Sequence, residues 1–270
     1  MKILTYNIHG WRGPDPESAF NLDMLTQVIS DAGADVVGLN EVFHPYPADG
    51  GPALIQLAAR LGMQVAFGPA LSAEESPRGI PYGNALLSRW PILAHAAHHL
   101  PAGTGGERRG LFETRIALPG GSSFTAYVTH LDHRAETVRL AQWSAAHAWL
   151  GRERGRPHVL IGDFNALAAS DYPNAAAVDS LRTQRDAEGW PPPAFDLIDR
   201  VLRTGYVDAF AQAGAGSGAG ATFPSEAPHI RIDYVFAPEV WAGALASCLR
   251  WEHPLVRAAS DHLPVLAEFA

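Results

Sequence analysis

The stretch Val159-Leu160-Ile161-Gly162-Asp163-Phe164-Asn165 ends an apolar run in a carboxylate and a carboxamide two positions apart, with a large aromatic between them. In extended chain, positions i and i+2 face one way and i+1 faces the other. Asp163 and Asn165 would then leave the strand end together while Phe164 turns back into the core, either as a tight turn or as a catalytic pair. The same pattern recurs elsewhere. Asn7 follows Ile3–Tyr6, Glu41 follows Val36–Asn40, His130 follows Thr125–Thr129, and Asp261 and His262 precede Leu263–Leu266. Each has a plain alternative: Asn7 and Asn165 as turn formers, Glu41 as a surface charge, Asp261 as a cap on the turn into the last strand. Together they point to loops on a rigid scaffold that present reactive groups.

Carboxylates and carboxamide oxygens are hard ligands, and with one cysteine in the chain they suit Mg2+ or Mn2+ better than zinc. Mg2+ takes one or two carboxylates together with waters and substrate phosphate, so such a donor set points to phosphoester chemistry. The run His130-Leu131-Asp132-His133 offers a rival, the tail of an HxHxDH two-zinc hydrolase motif. That motif needs a histidine at position 128, which is Val128. His98 and His99 lack helical ligand spacing and read as solvated strand or loop residues.

The elements that must position these groups are strand-rich. Strands are expected at Lys2–Tyr6, Asp35–Leu39, Met63–Phe67, Gly83–Ser88, Gly110–Ala117, Ser123–His130, Val159–Gly162, Asp233–Phe236, Ala244–Trp251 and Leu263–Phe269. Helical spacing marks Leu22–Ala32, Pro52–Leu61 and Ala135–Arg152. Many strands with separated helices suit an α/β sandwich better than a strict βαβ repeat. The run 213–221 (AGAGSGAGA) lacks the Lys-[Ser/Thr] of a phosphate loop and reads as a flexible connection.

Composition sets the outer bounds. No linker splits the 270 residues, so 1–270 is expected to form one catalytic domain. The lone Cys248 excludes an internal disulfide and fits a reducing, cytoplasmic setting; no signal peptide or membrane-spanning run is visible. A net charge of −8 without a Lys/Arg block argues against a protein that coats nucleic acid, while leaving room for a nuclease whose metal supplies the positive charge.

In chain order, LTYNIHG, GLNEV, GNALLSR, ERRG, THLDH, IGDFNA, RIDYVF and SDHLPV resemble the endonuclease/exonuclease/phosphatase superfamily over essentially the whole chain. The resemblance implies an α/β (α+β) fold, a four-layer αββα sandwich of two mixed β-sheets flanked by helices, like that of deoxyribonuclease I. It implies Glu41 as the main Mg2+ (or Mn2+) ligand, with Asn7 and Asp261 nearby, and Asp163 as the general base for an attacking water. Asn165 would orient that water, His262 would stabilise transition-state charge, and Asp233 would hold the His262 ring. His130 would be a second donor to the phosphate and Arg109 a phosphate contact, with Arg108 as the alternative. The second motif departs from the family in having Asn40 where Gln is more frequent. Asp132, His133 and Arg134 brace the loop or touch substrate, and Trp11 and Arg12 form a substrate rim or pack the loop.

The expected activity is metal-dependent phosphoester hydrolysis, a phosphodiesterase in preference, by a monomer. Its partner would be a nucleic acid end, a small phosphodiester or a lipid head group, with residues 168–195 and the 213–221 run varying on the substrate side. The alternative from another class is a catalytically silent member that uses the same cleft to bind phosphate ligands.

Overall fold

The structure is a computed structural model and describes residues 1–270 except 16, 105, 154 and 215–219. Two six-stranded mixed sheets face each other. The first runs in the order β11 (Leu245–Arg250), β12 (Val265–Phe269), β1 (Lys2–Asn7), β2 (Val36–Phe43), β4 (Tyr82–Ser88), β3 (Gln64–Leu71). The second runs β5 (Ile92–His99), β6 (Gly110–Ala117), β7 (Ser123–His130), β8 (His158–Asp163), β10 (Asp233–Pro238), β9 (Tyr206–Asp208). The central pairs β1–β2 and β7–β8 are parallel and the remaining pairs antiparallel.

Strands buried on both faces need apolar residues at successive positions, and β1, β2, β4 and β8 have them. Their inward residues form the middle layer of core: Ile3, Val36 and Leu86 meet Phe112, Val128, Ile161 and Val235. The sheets approach so closely that a Cβ on Gly38 would lie 2.5 Å from Ile161 Cδ1. Outside the first sheet, α1 (Leu22–Ala32), α2 (Ala53–Leu61) and α8 (Val256–Ala259) bury Leu25, Val28, Leu57 and Val256 against Tyr6 and Leu39. Outside the second, α3 (Glu136–Leu150) and α5 (Asp196–Arg203) bury Trp143, Leu197 and Val201 against Tyr127, Leu160 and Phe236. The result is the four-layer arrangement that the motif resemblance implies. Among the described residues no helix is long and apolar enough to cross a membrane.

Several elements differ from the pattern-based expectation. β2 continues beyond Leu39 through a bulge to Phe43, and β3 runs on to Leu71. β5 was not expected because ILAHAAHH has neither alternation nor β-branched residues beyond Ile92; it forms an edge strand paired only to β6. Its His98 is packed rather than solvated, stacked 3.7 Å from the Trp149 ring with Nε2 2.8 Å from Glu113. Residues 168–195 contain a helix, α4 (Ala175–Ala187), that buries only Leu181, so helical periodicity is faint there. Two four-residue helices, α6 (Ala209–Gln212) and α7 (Glu239–Ala242), complete the set. Of the glycine–alanine run 213–221, residues 215–219 lie outside the described residues.

Candidate active site

Strand register alone gathers part of the site. Asp163, at the end of β8, lies opposite His130 of β7 on one side and Asp233 of β10 on the other. The other sheet contributes Asn7 from the end of β1 and Glu41 from β2. The β2–β4 register shifts between Leu39 and Val42, and Glu41 sits in that bulge with φ +58°. A bulge re-aims a side chain, and here it turns Glu41 into the cleft between the sheets' ends. Asn165 is also left-handed, at φ +50°. Its backbone N–H donates to Asp163 Oδ1 at 2.9 Å and its Nδ2 donates to the Leu131 carbonyl at 3.1 Å. An Asx turn, not continued extended chain, therefore places Asp163 and Asn165 side by side while Phe164 is fully buried. Left-handed non-glycine residues are costly, and among the described residues they are His9, Glu41 and Asn165, which lie in the motifs quoted above, and Trp11, which directly follows the first of them.

Asp163 is the centre. Its Oδ2 accepts from Asn7 Nδ2 at 3.1 Å and lies 3.4 Å from His130 Nε2 and 3.7 Å from His262 Nε2. Asn7 Nδ2 also donates to Glu41 Oε1 at 3.1 Å. His262 is oriented from behind: its Nδ1–H donates to Asp233 Oδ2 at 2.9 Å, and its backbone N–H to Ser260 Oγ at 3.2 Å. Ser260 in turn donates to the Asn7 carbonyl at 2.7 Å, which fastens the loop before β12 to the end of β1.

Arginine can only donate, so the 3.1 Å contact of Arg109 with His130 Nδ1 makes that nitrogen an acceptor. The His130 proton then sits on Nε2, facing Asp163. Burial, followed by the adjacent Arg109, holds His130 well below the ordinary histidine range, so this imidazole is neutral. His262 is the opposite case. Burial works against its charge, yet Asp233 and Asp163 outweigh burial and hold it well above that range. Asp163 is pushed up by burial, with the His262 charge opposing. Two imidazoles beside one carboxylate are thus driven to different protonation states, the arrangement that separates acid and base roles.

The nine residues given catalytic or metal roles from sequence come to this place. Glu41, Arg109, His130, Asp163, Asn165, Asp261 and His262 line a cleft of about 350 Å³, and Asn7 and Asp233 stand directly behind them. Arg109 is the arginine of ERRG that enters the cleft; Arg108 is half-buried outside the cleft and pairs with Glu75 at 2.7 Å. Trp11 is fully buried and donates to the Phe43 carbonyl at 2.9 Å, so it packs the loop. Asp132 accepts from the backbone of Arg134 and Ala135, bracing the turn into α3, whereas His133 lines the cleft and accepts from Arg109 at 3.2 Å.

Asn40 does not line the cleft. Its Oδ1 accepts from the Asp163 N–H at 3.0 Å, while its Nδ2 donates to Asn84 Oδ1 at 2.8 Å and to the Thr129 carbonyl at 2.9 Å. One carboxamide from the first sheet thereby fixes the ends of β7 and β8 in the second. Sequence reading missed this tie, and also Tyr82, Arg139 and His229 in the cleft lining; Arg185 and Trp190 line it too, within the 168–195 segment expected on the substrate side but not singled out there. Of the missed lining residues only Tyr82 had a signal, one residue ahead of GNALLSR.

Asp163, Asp233 and His262 each offer a ligand atom within 4.8 Å of the others. A metal does not suit that trio, because His262 Nδ1 is already joined to Asp233 and the ring is held cationic. Glu41 and Asp261 fit one better. Both line the cleft, and among the described residues neither has a lysine or arginine within ion-pair distance. Their carboxylate oxygens are donors that a hard divalent cation takes, and Asn7 Nδ2 holds Glu41 Oε1 from beside, its Oδ1 accepting from the His9 N–H at 3.1 Å.

The Endonuclease/Exonuclease/phosphatase family matches residues 4–262. The chain belongs to this family. Its members are usually hydrolases acting on phosphoesters, typically with a divalent metal. Among solved structures, an endonuclease/exonuclease/phosphatase from Beutenbergia cavernae DSM 12333 superposes with a TM-score of 0.76 at 25% identity, covering 98% of this chain and 70% of that one. An AP endonuclease from Archaeoglobus fulgidus gives 0.71 at 18% identity, over 100% and 99% of the two chains. A mannosyl-6-phosphatase from Bacteroides thetaiotaomicron VPI-5482 gives 0.69 at 16% identity, over the same shares. No curated protein sequence matches significantly.

Proposed function

We propose that the chain is a Mg2+- or Mn2+-dependent phosphodiesterase, with residues 1–270 acting as one catalytic domain. The observation that carries this reading is the setting of Asp163: a buried carboxylate between a neutral and a charged imidazole, at the floor of an open cleft. In this reading Asp163 takes a proton from a water held by Asn165 as the water oxygen attacks phosphorus in line and the ester P–O bond breaks. His262, kept charged by Asp233, and His130 Nε2–H donate to the phosphoryl oxygens as negative charge builds. Arg109 holds the His130 tautomer and reaches the phosphate. A divalent cation on Glu41 and Asp261, with Asn7 beside it, would neutralise charge on the phosphoryl and leaving oxygens.

The family and its solved relatives include both an endonuclease and a phosphatase, so the fold does not choose between ester classes. The charge around Asp163 favours the diester. Arg109 is offset by Glu107 at 3.4 Å and His130 is neutral, leaving His262 as the main cation for the reacting group. That matches one negative charge better than two. Bis(p-nitrophenyl) phosphate and p-nitrophenyl phosphate, offered side by side with Mg2+ or Mn2+, test the choice. Faster metal-dependent turnover of the diester is expected. Faster release from the monoester would reverse the substrate class, and no release from either would favour the silent binding module.

A further inference from the structure

Beyond the reacting centre, the cleft has a far wall made of α4, the segment after it and the 223–232 loop. Arg185, Trp190, His229, Ile230 and Ile232 line it, with Arg139 of α3 between this wall and Arg109. The two sides approach where His229 Nε2 lies 3.8 Å from Glu188. About 350 Å³ with an aromatic and aliphatic wall is the size and character of a small-molecule site.

The three arginines that line the cleft are matched differently. Arg139 is neutralised by Glu136, with Nε and Nη2 each 2.8 Å from Oε2. Arg109 faces Glu107 and two imidazoles. Arg185 has one anchor, Nε donating to the Pro191 carbonyl at 2.7 Å, and among the described residues no carboxylate lies within ion-pair distance of it. After burial, the Arg139 guanidinium is the next largest cause pulling Arg185 below the ordinary arginine range, with Glu188 opposing more weakly. The chain thus holds a half-buried guanidinium by its Nε, leaves both terminal nitrogens without a hydrogen-bond acceptor among the described residues, and sets it beside a second cation in a cleft. A planar fork fixed in this way is suited to an incoming anion with two oxygens. The exposed Trp190 ring, 5.9 Å from the Arg185 guanidinium carbon, supplies a flat apolar face next to it.

We infer that Arg185 is a second anion subsite of the cleft, and that the substrate is a compact phosphoester of mononucleotide size carrying a further phosphate or carboxylate beside a planar or apolar body. This rests on the phosphodiesterase reading for the reacting phosphate but not for binding. Two measurements separate them. In hydrolysis, thymidine 5′-(p-nitrophenyl phosphate) is compared with the same ester bearing a 3′-phosphate, in wild type and Arg185→Gln, with Mn2+. Wild type prefers the 3′-phosphorylated ester, and Arg185→Gln lowers kcat/KM for it about tenfold more than for the plain ester. Equal losses on both esters would put Arg185 on the reacting phosphate and overturn the inference. In calorimetry on metal-free protein, thymidine 3′,5′-bisphosphate binds tighter than thymidine 5′-phosphate, and Arg185→Gln removes the difference. If wild type does not distinguish the two ligands, the subsite does not exist, whatever the hydrolysis shows. If it does distinguish them while neither ester is cleaved, the subsite stands and the phosphodiesterase reading falls.

Discussion

Arg231, two residues before β10, and Asp163, at the end of the neighbouring β8, are both buried charges, yet their surroundings differ. Arg231 is met by Asp171 in a two-pronged contact at 3.0 Å and by Asp208 at 2.7 Å, so one cation has two carboxylates, and it does not line the cleft around Asp163. Asp163 has no arginine or lysine partner among the described residues; imidazoles and a carboxamide face it, and the cleft opens onto it. A charge that is buried and fully matched ties loops together. A charge that is buried, under-matched and open to solvent holds unfavourable energy that only a substrate or metal relieves, which is how catalytic carboxylates are kept reactive.

The contrast is broken most severely at the closed cluster. Asp208→Asn keeps the side-chain acceptor that caps α6 but removes a charge from Arg231. Urea unfolding should show a loss of about 3 kcal/mol, the upper end for removing a charged hydrogen bond from a buried ion that Asp171 still meets. The open cluster should respond to its missing cation. Mn2+ at about a hundredfold above its dissociation constant should stabilise the wild type by about 2.7 kcal/mol, and Glu41→Gln should cut most of that gain in a thermal melt while leaving the metal-free melting point close to wild type.

A smaller effect lies in pH. His262 is held above the ordinary histidine value, so the folded protein keeps a proton that the unfolded chain gives up above about pH 6.5. Its stabilisation is complete below that value and is lost as pH rises through the folded one. In metal-free protein, stability measured by urea should therefore decline more steeply from neutral to alkaline pH in wild type than in His262→Gln.

Much of this was legible because fully buried strands write themselves as apolar runs, and the groups with chemistry follow those runs: Asn7, Glu41, His130, Asp163. Their roles in the sheet register were not. Nothing in Asn40 says that its amide spans two sheets, since the partners Asn84, Thr129 and Asp163 are far apart in sequence. The outward elements were also faint. β5 is an edge strand of alanines and histidines, and α4 buries one leucine, so neither carries the periodicity that reveals packed elements. Arg185 and Trp190 lie on such a stretch, so the 168–195 segment could be expected on the substrate side while the helix and the two residues that line the cleft could not be picked out.

Asp163→Asn tests the central contrast most directly, through hydrolysis of bis(p-nitrophenyl) phosphate with Mn2+ together with urea unfolding of the same protein. The account predicts a fall in kcat of about a thousandfold, in the range of a lost general base, with stability at neutral pH equal to or above wild type because a poorly matched buried charge is gone. Retained activity, or a loss explained by an unstable fold, would contradict it.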